Sequence, residues 1–187
     1  MLKRCNWCEG DDLYIRYHDK EWGVQVHSDK KLFELLILEG VKALMRWITL
    51  LIKRAAYREA FDQFDFNKVA RYNDRKKQSL MNNSGIVRNR LKIESAIKNA
   101  QAFIRVREEF GTFNRFIWQF TDGEVIQNRW QSLKAVPAST KESVQMSKEL
   151  KRRGFSFVGP TICYAHMQAT GMVNDHVVDC FRHRELA

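Results

Sequence analysis

The sequence predicts an all-α protein, organised as a single domain over residues 1–187 or as two small helical lobes that share a groove. Apolar residues recur at three- and four-residue spacing in several segments, as they do on the buried face of a helix. Ser, Thr, Asp or Asn precedes most of these segments, where a helix N-cap is expected. No sustained apolar–polar alternation and no internal repeat is present. The hydrophobic content of 44% is sufficient for one sizeable core.

The first helix is expected after an irregular start. Residues 1–27 show few regular periodicities but are rich in aromatic rings, which fit a pocket wall as readily as ordinary packing. A helix is predicted over residues 30–39, with Ser28 or Asp29 as its N-cap. Gly40 is expected to end it, because glycine is a poor helix former.

Further helices are expected through the middle of the chain. One begins around Trp47, and Asp65 and Asp74 are expected to cap two short turns. The Asn-Asn-Ser-Gly sequence at residues 82–85 then breaks the pattern. A long helix follows, with one apolar face formed by Ile93, Ile97, Ala100 and Ile104.

The C-terminal part contains three more helix starts. Thr112 is expected to cap a helix with a core-facing stripe of phenylalanines, and residues 121–138 are expected to form a loop. Ser139 and Glu142 fit a capping box for a helix that ends near residue 153. Pro160 is suited to the first turn of the next helix.

The charge of the chain points to a polyanionic partner. A formal net charge of +10 attracts nucleic acid, although basic charge also occurs on ordinary solvated surfaces. Arg88, Arg90 and Lys92 lie where a helix is expected to begin after a glycine-containing turn. Free backbone N–H groups at such a point fit phosphate binding, and a plain helix–helix turn with solvated charges is the alternative.

No membrane segment is expected. A bilayer span needs about 18 or more consecutive apolar residues, and no such run occurs. The first residues also lack the apolar stretch of a signal peptide. The sequence therefore predicts a cytoplasmic protein with reduced thiols, in which Cys/His groupings more often bind metal than form disulfides.

One such grouping lies at the two ends of the chain. A helix capped by Asn174 or Asp175 would place His176 and Cys180 on one face. A tetrahedral site needs two more nitrogen or sulfur ligands, and the N-terminal segment offers Cys5 together with either Cys8 or His18. The spacing does not choose between these two.

Several separated segments together resemble one protein family, the DNA-3-methyladenine glycosylase I enzymes of bacterial base excision repair. The matching segments cover nearly the whole chain. They are Tyr-Ile-Arg-Tyr-His-Asp-Lys-Glu-Trp-Gly at 14–23, Lys-Leu-Phe-Glu through Leu-Glu-Gly at 31–40, Trp-Ile-Thr at 47–49, Gly-Ile-Val-Arg-Asn-Arg-Leu-Lys-Ile at 85–93, Lys-Arg-Arg-Gly-Phe-Ser-Phe-Val-Gly-Pro-Thr-Ile-Cys-Tyr at 151–164, and Met-Gln-Ala-Thr-Gly-Met-Val-Asn-Asp-His at 167–176.

The resemblance implies a helix-hairpin-helix DNA glycosylase fold with a structural zinc ion, one per chain, that joins the N- and C-terminal segments. The implied ligands are Cys5, His18, His176 and Cys180. The implied activity is the monofunctional hydrolysis of the N-glycosidic bond of 3-methyladenine in alkylated double-stranded DNA. We accordingly expect a monomer in the bacterial cytosol or nucleoid.

The resemblance also implies a pocket for a flipped base. Its walls would be Trp7, Tyr14, Tyr17, Trp22 and Trp47, with Glu39 as the catalytic and recognition carboxylate. An N3-alkylated adenine is cationic while joined to its sugar, so ring faces attract it and a carboxylate accepts hydrogen bonds from its amino group. Met45, Arg46, Arg88, Arg90 and Lys92 are the expected DNA-binding residues.

One segment departs from the family. Between Gly40 and Trp47 the family typically has x-Gln-Ala-Gly-Leu-Ser, whereas this chain has Val-Lys-Ala-Leu-Met-Arg at 41–46. Leu44 replaces a glycine and cannot adopt the positive φ angles open to glycine, while Met45 can still fill a base-sized gap. The alternative function is therefore a catalytically weak or silent, zinc-containing DNA-binding homologue.

Overall fold

Helices account for nearly all of the regular structure. The computed structural model describes residues 2–42 and 45–187. Within these residues the α-helices are α1 (Asp12–Lys20), α2 (Asp29–Lys42), α3 (Trp47–Ala60), α4 (Phe66–Val69), α5 (Asp74–Asn82), α6 (Arg90–Phe110), α7 (Phe113–Trp118), α8 (Lys141–Arg152), α9 (Pro160–Ala169) and α10 (Phe181–Glu185). Two-residue strands β1 (Ile126–Gln127) and β2 (Val173–Asn174) pair in parallel. The prediction of an all-α protein is confirmed.

Helix α2 lies at the centre of the core. Every residue from Leu32 to Val41 is buried, because α3, α6, α7 and α9 all pack against this helix. A helix that is covered on several sides needs apolar residues around most of its circumference, and the run of leucines provides them. The same helix carries Glu39 and Lys42 near its C-terminal end.

Several predicted helix starts are confirmed. Helix α3 begins at Trp47, and the side chain of Asp65 accepts two backbone N–H groups of α4. Thr112 caps α7 by accepting the amide of Arg115 at 3.1 Å. Pro160 is the first residue of α9. These starts were predictable because caps and N-terminal prolines satisfy local backbone requirements.

Other boundaries differ from the prediction. Residues 12–20, expected to be irregular, form α1, which Asp11 caps. Helix α2 continues through Gly40 to Lys42 instead of ending there. A Cβ atom on Gly40 would lie 3.4 Å from the Cβ of Phe157, so the glycine serves a close packing contact within the helix.

Two caps are displaced by one residue. Asn73, and not Asp74, caps α5, because its side chain accepts the amide of Lys76. Thr140, and not Ser139, caps α8, where Thr140 and Ser143 form the reciprocal capping box. Both alternatives satisfy the same first-turn N–H groups, and the spacing of polar residues did not distinguish them.

The predicted helix containing His176 and Cys180 is wrong. Residues 175–180 form turns and bends, and Cys180 precedes α10. Strand β2 pairs with β1 in the register Ile126 opposite Val173. The carbonyl of Asn174 accepts the amide of Asn128 at 3.3 Å, so the backbone at the expected helix start is already bonded to a neighbouring segment.

Helices α5 and α6 are joined by a tight connection of residues 83–89. Asn83 accepts the amide of Gly85 at 2.8 Å, and Asn89 caps α6 by accepting the amide of Lys92 at 3.1 Å. The hydroxyl of Tyr57 accepts the amide of Val87 at 3.0 Å and fixes the turn to α3. In the part of the chain that the structure describes, no helix is both long and apolar enough to cross a membrane.

Candidate functional site

Four buried side chains converge where the two ends of the chain meet. The ligand atoms of Cys5, His18, His176 and Cys180 all lie within 4.8 Å of one another. His18 projects from α1, whereas Cys5 and the two C-terminal residues lie in irregular segments. The fold thus brings together residues from the two ends of the chain. His18 and His176, for example, are 158 positions apart in the sequence.

The separations within this group fit a tetrahedral metal. With bonds of about 2.3 Å to sulfur and about 2.0 Å to nitrogen, a zinc tetrahedron places nitrogens about 3.3 Å apart and sulfur about 3.5 Å from nitrogen. His18 Nε2 lies 3.1 Å from His176 Nδ1. Cys180 Sγ lies 3.4 and 3.5 Å from these two nitrogens, and Cys5 Sγ lies 3.7 Å from His176 Nδ1.

Both imidazole rings are oriented by partners outside the group. The Nδ1 atom of His18 lies 2.8 Å from a carboxylate oxygen of Asp19, which also accepts from Arg4. The Nε2 atom of His176 lies 3.1 Å from the carbonyl oxygen of Trp22. With the tautomer that donates to these outer acceptors, each ring presents a lone pair inward, as ligating histidines do.

The backbone around His176 is closely packed. A side chain on Gly171, which has φ +70°, would place its Cβ 2.5 Å from the amide nitrogen of Gln25. Only glycine permits this contact and this dihedral angle together. The close approach holds the segment after α1 against the segment before His176.

Cys8 lies outside the group of four. Its thiol donates to the carbonyl of Cys5 at 3.1 Å, and burial raises the pKa of this thiol to about 11. Within the group, a hydrogen bond from Cys5 lowers the pKa of Cys180 and the same contact raises that of Cys5. The structure thus groups His18, and not Cys8, with the other three side chains.

A cavity of about 370 Å³ lies beside this group. All six residues that the sequence assigns to the base pocket line it. They are Trp7, Tyr14, Tyr17, Trp22, Glu39 and Trp47. Its remaining wall comes from residues that the sequence did not indicate for this role, namely Lys42, Leu133, Val136, Ala165, Gln168 and Asp175. Cavities of this size and composition are typical of small-molecule sites.

The rings contact one another at steep angles. Trp7 lies 4.8 Å from Tyr14 and 5.0 Å from Trp22, measured between ring centroids, and Tyr17 lies 5.5 Å from Trp47. Tilted and edge-to-face contacts of this kind fix ring orientations. The pocket therefore presents aromatic surfaces from α1, α3 and the N-terminal segment.

Glu39 is a buried carboxyl group whose hydrogen-bonding capacity is incomplete. It is 4% exposed, and its Oε2 atom has no hydrogen-bond partner among the described residues. Burial raises the pKa of Glu39 to about 7, an effect opposed by Lys42. The ammonium of Lys42 lies 3.8 Å from Oε2, close enough for an ion pair but too far for a direct hydrogen bond.

Trp47 adds a donor to the same pocket. Its indole N–H is buried and has no acceptor in the described part of the chain. Lys42 also lies over this ring, with its nitrogen 5.6 Å from the centroid. An unpaired acceptor and an unpaired donor in one aromatic pocket are costly unless a ligand satisfies them.

Asp175 is the buried carboxylate among the pocket residues that the sequence did not indicate. It is 1% exposed, and its carboxylate accepts hydrogen bonds from Asn128, Trp130, Tyr164 and Gln168. Its position before His176 indicated only a helix cap. The donors lie up to 47 residues away, so no local pattern could have revealed them.

The expected DNA-binding residues are divided between two places. Arg88 and Arg90 are exposed at the start of α6. The ammonium of Lys92 instead donates to the carbonyl of Val41 at 2.5 Å, which links the first turn of α6 to the end of α2. Met45 is half-buried against the core and Arg46 is exposed. Leu44 lies outside the described residues.

The chain resembles known methyladenine glycosylases over nearly its whole length. The chain matches the sequence profile of the methyladenine glycosylase family over residues 7–183. It is 46% identical over 180 residues to the DNA-3-methyladenine glycosylase of Haemophilus influenzae (strain ATCC 51907 / DSM 11121 / KW20 / Rd), covering 96% of this chain and 97% of that protein. It is also 46% identical over 179 residues to DNA-3-methyladenine glycosylase 1 of Escherichia coli (strain K12), covering 96% of both.

Solved structures give the same result. A crystal structure of 3-methyladenine DNA glycosylase I superposes with a TM-score of 0.92 at 47% identity, covering 96% of this chain and 98% of that one. The Staphylococcus aureus 3-methyladenine DNA glycosylase I, solved to explain 3-methyladenine recognition, superposes with a TM-score of 0.92 at 32% identity and covers 96% and 97%.

Proposed function

The chain belongs to the methyladenine glycosylase family, and from this membership we propose how its own residues carry out the reaction. It is a DNA-3-methyladenine glycosylase, a base excision repair hydrolase that cleaves the bond between the alkylated base and its deoxyribose. The assignment of individual residues to steps of this reaction is our proposal.

The single observation that carries the proposal is that two polar atoms of the aromatic pocket, Glu39 Oε2 and Trp47 Nε1, have no hydrogen-bond partner among the described residues. A flipped 3-methyladenine supplies what they lack, since its exocyclic amino group donates and its ring nitrogens accept. The base is cationic before release, so the faces of Trp7 and the other rings attract it. Neutral adenine gains less from the same surfaces.

Hydrolysis then needs little covalent help from the protein. The alkylated base already carries positive charge and is a good leaving group. The enzyme extrudes it from the duplex, binds it, and lets water reach a sugar with oxocarbenium character. Glu39 accepts hydrogen bonds from the base, stabilises positive charge and orients water. No lysine nucleophile is required, consistent with a monofunctional enzyme.

We assign Cys5, His18, His176 and Cys180 as ligands of one structural zinc ion. The support is the chemistry of the donor set, the nitrogen–sulfur separations and the outward N–H donation of both histidines. A bound zinc would cross-link the two chain ends. With four protein ligands in a tetrahedron, the ion would have no open position for an activated water.

Double-stranded DNA would bind across the end of α2 and the α5–α6 turn. This helix–turn–helix pair supports a helix-hairpin-helix element, in which the exposed Arg88 and Arg90 contact phosphates beside the first amides of α6. Met45 would fill the space left by the flipped base, with Arg46 on the backbone. The monomeric state and the location in the bacterial cytosol or nucleoid stay predictions.

The proposal is tested by measuring purines released from methylated duplex DNA. We expect 3-methyladenine from the unmodified protein and none from undamaged duplex. Trp47→Phe, which keeps an aromatic ring but removes the N–H donor, should lower release. The matched control is Trp118→Phe, since the indole N–H of Trp118 donates to the carbonyl of Val26 and lies outside the pocket.

Two outcomes would contradict the proposal. Duplex binding without any base release would favour a silent DNA-binding homologue. Equal release by Trp47→Phe and the unmodified protein would remove the role assigned to the indole donor.

A further inference from the structure

A second carboxylate, that of Asp175, forms part of the pocket wall. We propose that Asp175 stabilises the positive charge of the lesion nucleoside during base release. This inference rests on the proposed function of the pocket. It assigns to Asp175 an electrostatic role in addition to its place in the fold.

Four hydrogen bonds fix the Asp175 carboxylate in place. One oxygen accepts from Asn128 Nδ2 and Trp130 Nε1, both at 2.7 Å. The other accepts from Tyr164 Oη at 2.5 Å and Gln168 Nε2 at 2.7 Å. Each oxygen therefore has two donors, which use the acceptor capacity of the carboxylate.

The hydrogen-bond partners of Asp175 carry no formal charge. All four are neutral side chains, and none of the ion pairs formed among the described residues includes Asp175. Glu39 differs, because Lys42 lies 3.8 Å from its carboxylate and balances its charge. Of the two carboxylates that line the pocket, Asp175 is therefore the one that forms no ion pair with a Lys or Arg side chain among the described residues.

An enclosed, fixed anion suits a reaction that carries positive charge. Asp175 is 1% exposed, so water screens it poorly. Four donors from the β1 region and α9 prevent it from moving, which means that no reorganisation is needed when charge shifts from the base to the sugar. The alternative role is purely structural, because the four hydrogen bonds to Asp175 connect residues 128–130 to α9 through its carboxylate.

A pair of abasic duplexes separates the two roles. One carries a cationic pyrrolidine in place of the sugar, and the other carries the neutral tetrahydrofuran. The unmodified protein should bind the pyrrolidine duplex more tightly. Asp175→Asn removes the charge at nearly constant shape, and it should reduce this preference by roughly tenfold or more, the order of effect of one preorganised electrostatic group.

Two further variants make the result decisive. Tyr164→Phe removes one hydrogen bond but keeps the charge, so the preference should stay within about twofold of the original. The double variant Glu39→Gln/Lys42→Gln removes the balanced ion pair as a unit. It should lower base release but keep the preference for pyrrolidine, and this measurement remains available if Asp175→Asn does not fold.

The inference is overturned if Asp175→Asn weakens binding to both duplexes equally. It is also overturned if Tyr164→Phe loses the preference for the pyrrolidine duplex as fully as Asp175→Asn does, or if the double variant loses this preference. Binding of neither abasic duplex above an intact duplex, together with no base release, would instead overturn the proposed function and this inference with it.

Discussion

Removal of one metal ligand should cost a large part of the stability of the fold. Cys5 and His176 are separated by 171 positions, so a metal bound by both closes a loop of nearly the whole chain. Loop-closure entropy for a cross-link of this length is worth about 5 kcal/mol at 25 °C. A domain of ordinary stability has only about 5–15 kcal/mol in total. We therefore expect Cys180→Ser to lose the metal and to detach the N- and C-terminal segments.

The assay combines metal content with denaturant unfolding. The unmodified protein should contain about one zinc per chain, and Cys180→Ser should contain much less and unfold at lower denaturant. Cys8→Ser is the matched control, because Cys8 is equally buried but belongs to no ligand set. It should keep its zinc and lose about 1 kcal/mol or less, the usual value of one hydrogen bond. Full zinc retention in Cys180→Ser, or zinc loss in Cys8→Ser, would refute the ligand assignment.

Four further predictions concern charge. Because burial raises the pKa of Glu39 to about 7, base release should fall as the pH drops through this value and the carboxylate becomes protonated. Glu39→Gln should remove this pH dependence and slow base release about tenfold or more at pH 8. Duplex binding should change little. Lys42 lowers the same pKa, so Lys42→Gln should move the midpoint of the pH–rate profile to higher pH, and an unchanged midpoint would contradict the ion pair. If Arg88 contacts one phosphate, Arg88→Ala should reduce the slope of log affinity against log salt by about 0.9, whereas the exposed Arg184 in α10 should leave the slope unchanged when replaced by alanine. Burial lowers the pKa of His166 to about 4, so the fold favours the neutral ring. Up to about 3 kcal/mol of unfolding free energy should therefore be lost as the pH falls from about 6.5 to 4. Urea unfolding of His166→Met should show a smaller loss over the same pH range.

Local patterns predicted much of the fold, and their failures have physical causes. Thr112 and Asp65 were predictable as caps because a cap acts within its own first turn. Gly40 was misread as a helix end because its contact with Phe157 is made across the fold. The separation of 117 residues between them leaves no trace in helical periodicity. Helix α1 was missed even though Tyr14, Tyr17 and His18 have helical spacing, because the dense rings were interpreted as an irregular pocket wall.

The site shows the same division between local and distant information. Residue types and family motifs indicated the four candidate ligands and the six pocket residues, and the structure brings both sets together. Spacing alone could not choose His18 over Cys8, since the choice depends on how α1 packs against the C-terminal segment. The hydrogen bonds of Asp175 come from two separate segments, residues 128–130 and α9. They depend on the packing of β1 and α9, which no sequence pattern specified.

Lys42, in the segment interpreted as a departure from the family, affects the electrostatics of the pocket. The ammonium of Lys42 lies 3.8 Å from Glu39 and 5.6 Å from the ring centroid of Trp47, between the acceptor and the aromatic face proposed to bind a cationic base. A lesion that enters must therefore replace one cation with another, so the gain from contacting Glu39 is smaller than it would be beside a neutral side chain. Lys42 is half-buried at the end of α2 and its long side chain can move toward solvent when the base enters. Once Lys42 has moved away, the ligand must supply both a hydrogen-bond donor and a positive charge to Glu39. Neutral adenine supplies the amino donor but no charge. We therefore expect Lys42 to weaken binding of the lesion but to weaken binding of an undamaged base more, because only the cationic base restores the charge balance that Lys42 provides.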